Sequence, residues 1–243
     1  MTRAIAALLL GLLATFSAPV TQYREARLSA RPPNQTDPVP TVLELYQSQG
    51  CSSCPPALEV LRDEANRPNI IALSFAVTYW DQLGWKDSFA QPAFTSRQWD
   101  YAHANARAVV ATPQLIVNGR GFVNGGNKAE LEAAIAKYRI APEGPALRFD
   151  RDQLIVGAAS TARRATVWLV SYDPRTLQVP IRAGENDGRT LAHRNIVRRI
   201  ENLGSWTGSR QSYPLPRPQP GLKRVVLVQG GIGGPIIAAH KLG

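Results

Sequence analysis

The sequence predicts an α/β fold followed by a β-rich portion, and three observations carry that prediction. A strand-like run, a helix-prone run and a fully apolar run succeed one another between residues 41 and 77. An Asn118-Gly119 hairpin signal leads into an amphipathic helix with a clear start. Beyond Pro142-Glu143-Gly144-Pro145 the chain breaks into short strand-like runs divided by Gly, Pro, Asn and Asp. Alternating strand and helix patterns argue for parallel pairing, and closely spaced short strands for a β-sandwich or an extension of the sheet.

Taken in order, Val42 to Tyr46 suits a strand and Ala57 to Ala65 a short helix. Asn69 to Val77 reads as a buried strand, because Ile70, Ile71, Ala72, Leu73, Phe75 and Val77 leave almost no polar face. A mixed segment from Tyr79 to about Val110 holds Trp80, Trp85 and Trp99, with one or two helices around Ser96 to Ala108. Gln114 to Val117 is the next strand. Asn118-Gly119 tolerates positive φ at both positions and returns the chain through Arg120 to Val123. Asn127 caps a helix that reaches Tyr138, with Glu130 placed as a capping-box partner. Leu131, Ala134, Ile135 and Tyr138 give that helix one apolar face. Strands are then expected at 147–149, 153–156, 165–172, 177–182, 189–200, 224–229 and 236–240. Gly230-Gly231-Ile232-Gly233-Gly234-Pro235 is a turn between two of them, since it lacks the Lys-Ser/Thr of a phosphate loop.

The N-terminus reads as an export signal over residues 1–17. Arg3 supplies the basic region, Ala4 to Ala14 is uninterrupted apolar sequence, and Thr15-Phe16-Ser17 offers small residues for cleavage. The apolar run is short for a membrane span, which takes about 20 residues, so no span is expected after cleavage; an uncleaved anchor is the alternative. Residues 18–40, rich in Pro, Arg and Gln, read as a flexible linker. The expected product is exported to the periplasm or beyond the cell, where disulfides persist. The formal charge of +10 loses only Arg3 on cleavage. The arginines are scattered, without a stripe or an aromatic stacking platform, so nucleic acid is not an expected partner. Solubility accounts for the charge, and attraction to anionic envelope surfaces is a second reading.

Chemistry concentrates at Gly50-Cys51-Ser52-Ser53-Cys54-Pro55-Pro56, which holds both cysteines of the chain at Cys-x-x-Cys spacing. Three readings compete for the pair. A redox dithiol leads, because spacing, position after a strand and compartment agree. A structural disulfide is the second, since exported proteins oxidise any suitable pair. Metal binding is the weakest: a zinc site needs three or four ligands, and His103, His193 and His240 show no ligand spacing. Under the redox reading Cys51 attacks and Cys54 resolves the mixed disulfide. No cofactor beyond the cysteines is implied, and the expected partners are protein or small-molecule thiols and disulfides. Oligomeric state is not legible. Pro55-Pro56 should hold back the helix start to about those positions, leaving Cys51 in a preceding turn.

Tyr79-Trp80-Asp81 follows the second strand, where α/β sheets open onto their sites. Asp81 as an acid–base group and Trp80 as a substrate wall is one reading. The plainer one, favoured here, makes Trp80 and Trp85 packing residues, with Asp81, Lys86 and Asp87 as caps and ion pairs. Glu185, Asn186, Arg189, His193, Arg194, Asn195 and Arg198 form a polar cluster, read as turn formation with an interdomain salt-bridge network rather than an anion or partner site.

A strand–helix–strand unit, a dicysteine at its first junction, Thr112-Pro113 opening a strand, a hairpin and a last helix follow one another in an order that resembles a thioredoxin-like fold. The resemblance implies that Pro113 is cis and stands opposite the dicysteine, with Thr112 and Pro113 shaping a groove for substrate. It departs from standard thioredoxins in carrying Ser52-Ser53 between the cysteines and no tryptophan directly before Cys51. More narrowly, Glu44 to Ala57, Tyr79-Trp80-Asp81, Leu83-Gly84-Trp85-Lys86-Asp87, Thr112-Pro113-Gln114 and the Gly184 to Arg198 segment are similar to the signature of secreted bacterial proteins grouped as domain of unknown function 1223. That resemblance implies a thioredoxin-like domain over 41–140, a mixed sheet with flanking helices, and a β-rich, sandwich-like C-terminal domain over 146–243. It implies no demonstrated activity. The functional expectation is a thiol–disulfide oxidoreductase or redox-responsive protein; the alternative is a non-catalytic binding or scaffold module with a structural disulfide.

Overall fold

The computed structural model describes residues 39–161 and 164–242. The signal expected at 1–17 and all but the last two residues of the linker expected at 18–40 lie outside them. Strand β1 (Thr41–Gln47) pairs in parallel with β2 (Ile70–Ala76), Thr41 opposite Ile70 and Gln47 opposite Ala76, and helix α1 (Pro55–Glu64) connects them. Strand β3 (Gln114–Val117) runs antiparallel on the other side of β1, and β4 (Gly121–Val123) returns on β3. Every residue of β1 and β2 is buried, the mark of central strands covered on both faces. On one face Leu43, Leu45 and Leu115 meet Leu58 and Leu61 of α1 and Leu131 of α3 (Lys128–Lys137). On the other, Tyr46 and Phe75 meet Phe94 and Tyr101 of α2 (Pro92–Ala104). Asn127 caps α3, its side-chain oxygen accepting from Ala129 and Glu130 backbone N–H groups.

Strands β7 (Ala165–Pro180), β8 (Thr190–Trp206), β10 (Lys223–Gly230) and β11 (Ile236–Leu242) belong to the same sheet. Its order is β11-β10-β7-β8-β2-β1-β3-β4, with β8 parallel to β2 at Ser74 and Ile196. The sheet therefore crosses the boundary expected at about residues 141–145. Strands β5 (Leu147–Asp150), β6 (Gln153–Val156) and β9 (Gln211–Pro214) form a separate three-stranded sheet. Leu147, Leu154 and Tyr213 from it pack with Val167, Leu169, Trp206 and Val226 of the large sheet. Sandwich packing is thus a local feature at one end of a mixed α/β structure with a large mixed sheet and few helices.

Two expected strands, 165–172 and 177–182, are one strand, β7. Asp173-Pro174 resembles a turn in sequence, but the β7–β8 register shifts between Asp173 and Thr176, an irregularity where a missing N–H breaks no ladder bond. Strand β9 has no sequence signal because it ends in Pro214 and borders a proline-rich stretch. The Asn118-Gly119 turn has φ values of 49° and 65°, and Asn118 is also tied to β1, its Oδ1 accepting from Val42 N at 2.6 Å. At Gly119 a Cβ would fall 2.5 Å from the Gly234 carbonyl oxygen, so only glycine fits. Ile236 N donates to Asn118 O at 3.0 Å, which brings β11 at one sheet edge to the β3–β4 turn near the other.

Candidate functional site

The dicysteine loop begins where β1 ends. Cys51 N donates to Ser48 O at 3.1 Å and Cys54 N to Cys51 O at 3.2 Å, closing two successive tight turns. Cys54 is the N-cap of α1, and Pro55 and Pro56 occupy the first helical positions, where a missing N–H leaves no helix bond unmade. The expected late helix start is observed. Its consequence is that the helix dipole acts on Cys54 more closely than on Cys51. A disulfide joins the two, with Cα atoms 5.4 Å apart. Both cysteines are 0% exposed, so exposure does not set Cys51 apart as the attacking sulfur; Ser52 and Ser53 between them face solvent.

Thr112-Pro113 is a cis peptide and lies against this loop. The Ser53 hydroxyl sits 3.4 Å from the Thr112 carbonyl oxygen, to which it donates, and 3.3 Å from the Cys51 sulfur. Trp80 Nε1 donates to Thr112 Oγ1 at 2.8 Å, and Gly50 abuts the Trp80 side chain. Thr112, Trp80 and the cysteines are therefore brought together. Asp81 is placed differently: it opens the short 3-10 turn Asp81–Leu83, and its carboxylate accepts from Asp87 N at 3.1 Å. The carboxylate under the dicysteine loop is that of Asp87, buried and accepting from Gln49 N at 2.7 Å and Phe89 N at 2.8 Å. Gln49 in turn accepts from Trp85 Nε1 at 2.9 Å.

The other wall comes from far along the chain. Between β7 and β8 a 3-10 turn, Gly184–Asn186, presses on the loop from outside. The side-chain amide of the fully buried Asn186 donates to both Gln49 O and Cys51 O, each at 2.9 Å, while its oxygen accepts from Arg189 at 2.8 Å. One carboxylate oxygen of Glu185 accepts from the Ser52 hydroxyl at 2.7 Å and the Ser52 N–H at 3.1 Å. These bonds, the hydroxyl's first, hold the Glu185 carboxyl below its ordinary pKa. Glu185 and Asn186, the latter held by Arg189, thus clamp the dicysteine loop. The expected turn is present at Gly184–Asn186 and Arg198 pairs with Asp173 at 3.7 Å, while the bonds to the dicysteine loop go beyond that expectation. The amide and carboxylate carry no local pattern that points to a loop more than 130 positions upstream.

His193, on the same hairpin, is 0% exposed, with its ring 5.6 Å from that of Phe89 and no hydrogen-bond partner on either nitrogen among the described residues. Burial lowers its pKa from 6.5 to about 4. Asp87 moves the other way, from 3.8 to about 6, burial outweighing the bonds from Gln49 and Phe89. Their linkages have opposite signs. The stability His193 contributes is complete above pH 6.5 and is lost as pH falls through about 4. That of Asp87 is complete below pH 3.8 and is lost as pH rises through about 6. Each displacement corresponds to about 3 kcal/mol at its limit. Urea titrations between pH 4 and pH 7 are expected to show His193→Phe holding stability in acid relative to the unaltered protein. Asp87→Asn should lose stability faster than the unaltered protein over the same interval. Three parallel profiles would refute the assignment.

The fold and this loop define a mixed α/β protein that carries a buried, clamped dicysteine at a strand–helix junction. The chain belongs to the family described as "Protein of unknown function (DUF1223)", which it matches over residues 42–229. Among solved structures it is similar to protein AGR_C_4864 from Agrobacterium tumefaciens, at 30% identity and a TM-score of 0.68, over 85% of this chain and 95% of that one. It is also similar to HBP35 of Porphyromonas gingivalis, at 10% identity and a TM-score of 0.57, over 84% of this chain and 75% of that one, a likeness of fold alone. No curated protein matches the chain.

Proposed function

We propose that this is an exported protein with a thioredoxin-like core that exchanges disulfides through Cys51 and Cys54. The observation that carries the reading is the Cys51–Cys54 disulfide at the β1–α1 junction, with Ser53 bonded across to the Thr112 carbonyl. An extended substrate beside Thr112 and Pro113 would lie next to the sulfurs, with Trp80 as its wall.

From the oxidised state, a substrate thiolate attacks one sulfur of the pair, breaking the Cys51–Cys54 bond and forming a mixed disulfide with Cys51 as Cys54 leaves as thiolate. A second substrate thiolate attacks the substrate sulfur and expels Cys51. Two substrate thiols become a disulfide, two electrons pass to the cysteines, and the two protons end on the cysteine sulfurs. The reverse sequence, opened by the Cys51 thiolate, reduces a substrate disulfide. The test is the equilibrium reduction potential of the pair with its exchange against a model disulfide, beside Cys51→Ala. Measurable exchange that disappears in Cys51→Ala supports the reading.

A second reading, a structural bridge in a binding or scaffold module, is favoured by one observation: both cysteines are fully buried. A potential well below about −300 mV with no detectable exchange would establish that reading instead.

A further inference from the structure

A second feature lies at the opposite end of the sheet. The dicysteine loop follows the C-terminal ends of the parallel pair β1 and β2, whereas a pocket of about 280 Å³ opens beside Ile70 at the start of β2. Ala65, Pro174 and Leu242, each partly exposed, give it an apolar rim over the buried Ile70, Ala72 and Tyr172. Three cations surround it: Arg194 from β8, Lys223 from the start of β10 and Lys241 near the end of β11. Among the described residues no Asp or Glu lines it.

These charges are uncompensated. Among the described residues none of the three forms an ion pair; Arg194 donates to Asn66 Oδ1 at 2.8 Å and to Arg62 O at 3.4 Å, and Lys241 to Pro68 O at 3.2 Å, all neutral oxygens. Lys241 is opposite Val225 in the β10–β11 ladder, two positions from Lys223, so like charges are held close on adjacent strands. Partial burial, together with the Lys223 charge, lowers the Lys241 pKa. Arg194 is held in place by its neighbour. Asn195 adopts a left-handed backbone, φ 51°, and its side-chain amide donates to Ala72 O at 2.8 Å, fixing β8 at the pocket wall. An arrangement that concentrates positive charge beside an apolar rim is one that a bound anion with an apolar body relieves.

We propose that this pocket binds a small organic oxyanion, a carboxylate or phosphate ester, with its head group among Arg194, Lys223 and Lys241 and its apolar body against Ala65, Pro174 and Leu242. The guanidinium offers a fork to two oxygens and the lysines add point charges. The volume is near the lower end of ligand pockets and suits a compact body such as one ring or a short chain. The site is independent of the cysteines and stands whether or not they exchange disulfides.

Calorimetric titration of the folded protein with phenyl phosphate, benzoate, inorganic phosphate and benzyl alcohol tests it. At least one aromatic anion is expected to bind, more tightly than both neutral benzyl alcohol and inorganic phosphate, and to weaken as salt is raised. The stronger of phenyl phosphate and benzoate identifies the head group. Lys223→Gln/Lys241→Gln should weaken that anion by about tenfold or more, the loss of at least one charge-assisted hydrogen bond. Both lysines are exposed, so an unaltered thermal transition is expected in the variant, and Lys223→Gln alone provides a milder version. Failure of both aromatic anions to bind by about 10 mM overturns the proposal, as does equal affinity for benzyl alcohol or for inorganic phosphate, or an unchanged affinity in the double variant.

Discussion

Replacing Arg97 with Met is expected to lower the unfolding free energy by about 3–5 kcal/mol, because it strands a buried carboxylate. Glu44 sits in the middle of β1 at 0% exposure, and Arg97 of α2 holds both its oxygens, Nε to Oε2 at 2.7 Å and Nη2 to Oε1 at 2.9 Å. Tyr46 and Tyr101 each donate to it as well, at 3.0 and 2.6 Å. Burial, reinforced by the Glu44 charge, raises both phenol pKa values well above the ordinary one, so these hydroxyls stay protonated and remain donors. Arg97 also donates to Gln229 Oε1 at 3.0 Å, which ties α2 to β10. The group therefore joins the first strand of the fold to one near its end. Urea denaturation at neutral pH measures the loss, and a change below about 1 kcal/mol would show the pair to be dispensable. Glu44→Gln/Arg97→Met should recover part of it by removing both charges.

The second large effect concerns access to the disulfide. Asn186→Ala removes two hydrogen bonds to the carbonyls of Gln49 and Cys51, about 2 kcal/mol of clamping. Reduction of the folded protein by dithiothreitol should accelerate by about 30-fold if release of the hairpin tip precedes attack. Asn186→Asp should act more strongly, since it sets a carboxylate against the same two carbonyl oxygens. Urea separates local from global opening: a rate nearly independent of low urea reports release of the tip, whereas a steep dependence reports unfolding of the whole chain. A rate within twofold of the unaltered protein would mean that reductant reaches the sulfurs by another path.

Local chemistry in the sequence carried much of the first half of the fold. Pro55-Pro56 marks the start of α1, Asn118-Gly119 the β3–β4 turn and Asn127 the cap of α3, each through backbone requirements confined to a few residues. The apolar runs of β1 and β2 likewise announce central strands. What was illegible depends on distant pairing. Nothing within Thr190 to Trp206 says that β8 will lie beside β2, and Asp173-Pro174 looks like a turn although the strand continues past it. At the site, the cysteines, Thr112 and Trp80 were singled out because each sits in a recognisable local context. Asp87 and Asn186 were read only as cap, ion-pair and turn residues, because their roles at the cysteines arise only once three separated segments are folded together. Glu44 did leave a trace: a lone carboxylate inside an otherwise apolar strand calls for a buried cation, and only the fold shows that it is Arg97.

The clamp has a consequence in time. A chain is made from its N-terminus, so the dicysteine loop emerges long before Gly184–Asn186 exists to cover it. Until then the loop lacks the bonds from Asn186 and Glu185 that hold it in the finished fold. Once β8 has docked beside β2 and the hairpin tip has closed, both cysteines lie buried. Asn186 is thus the latch that closes last over the loop that was completed first.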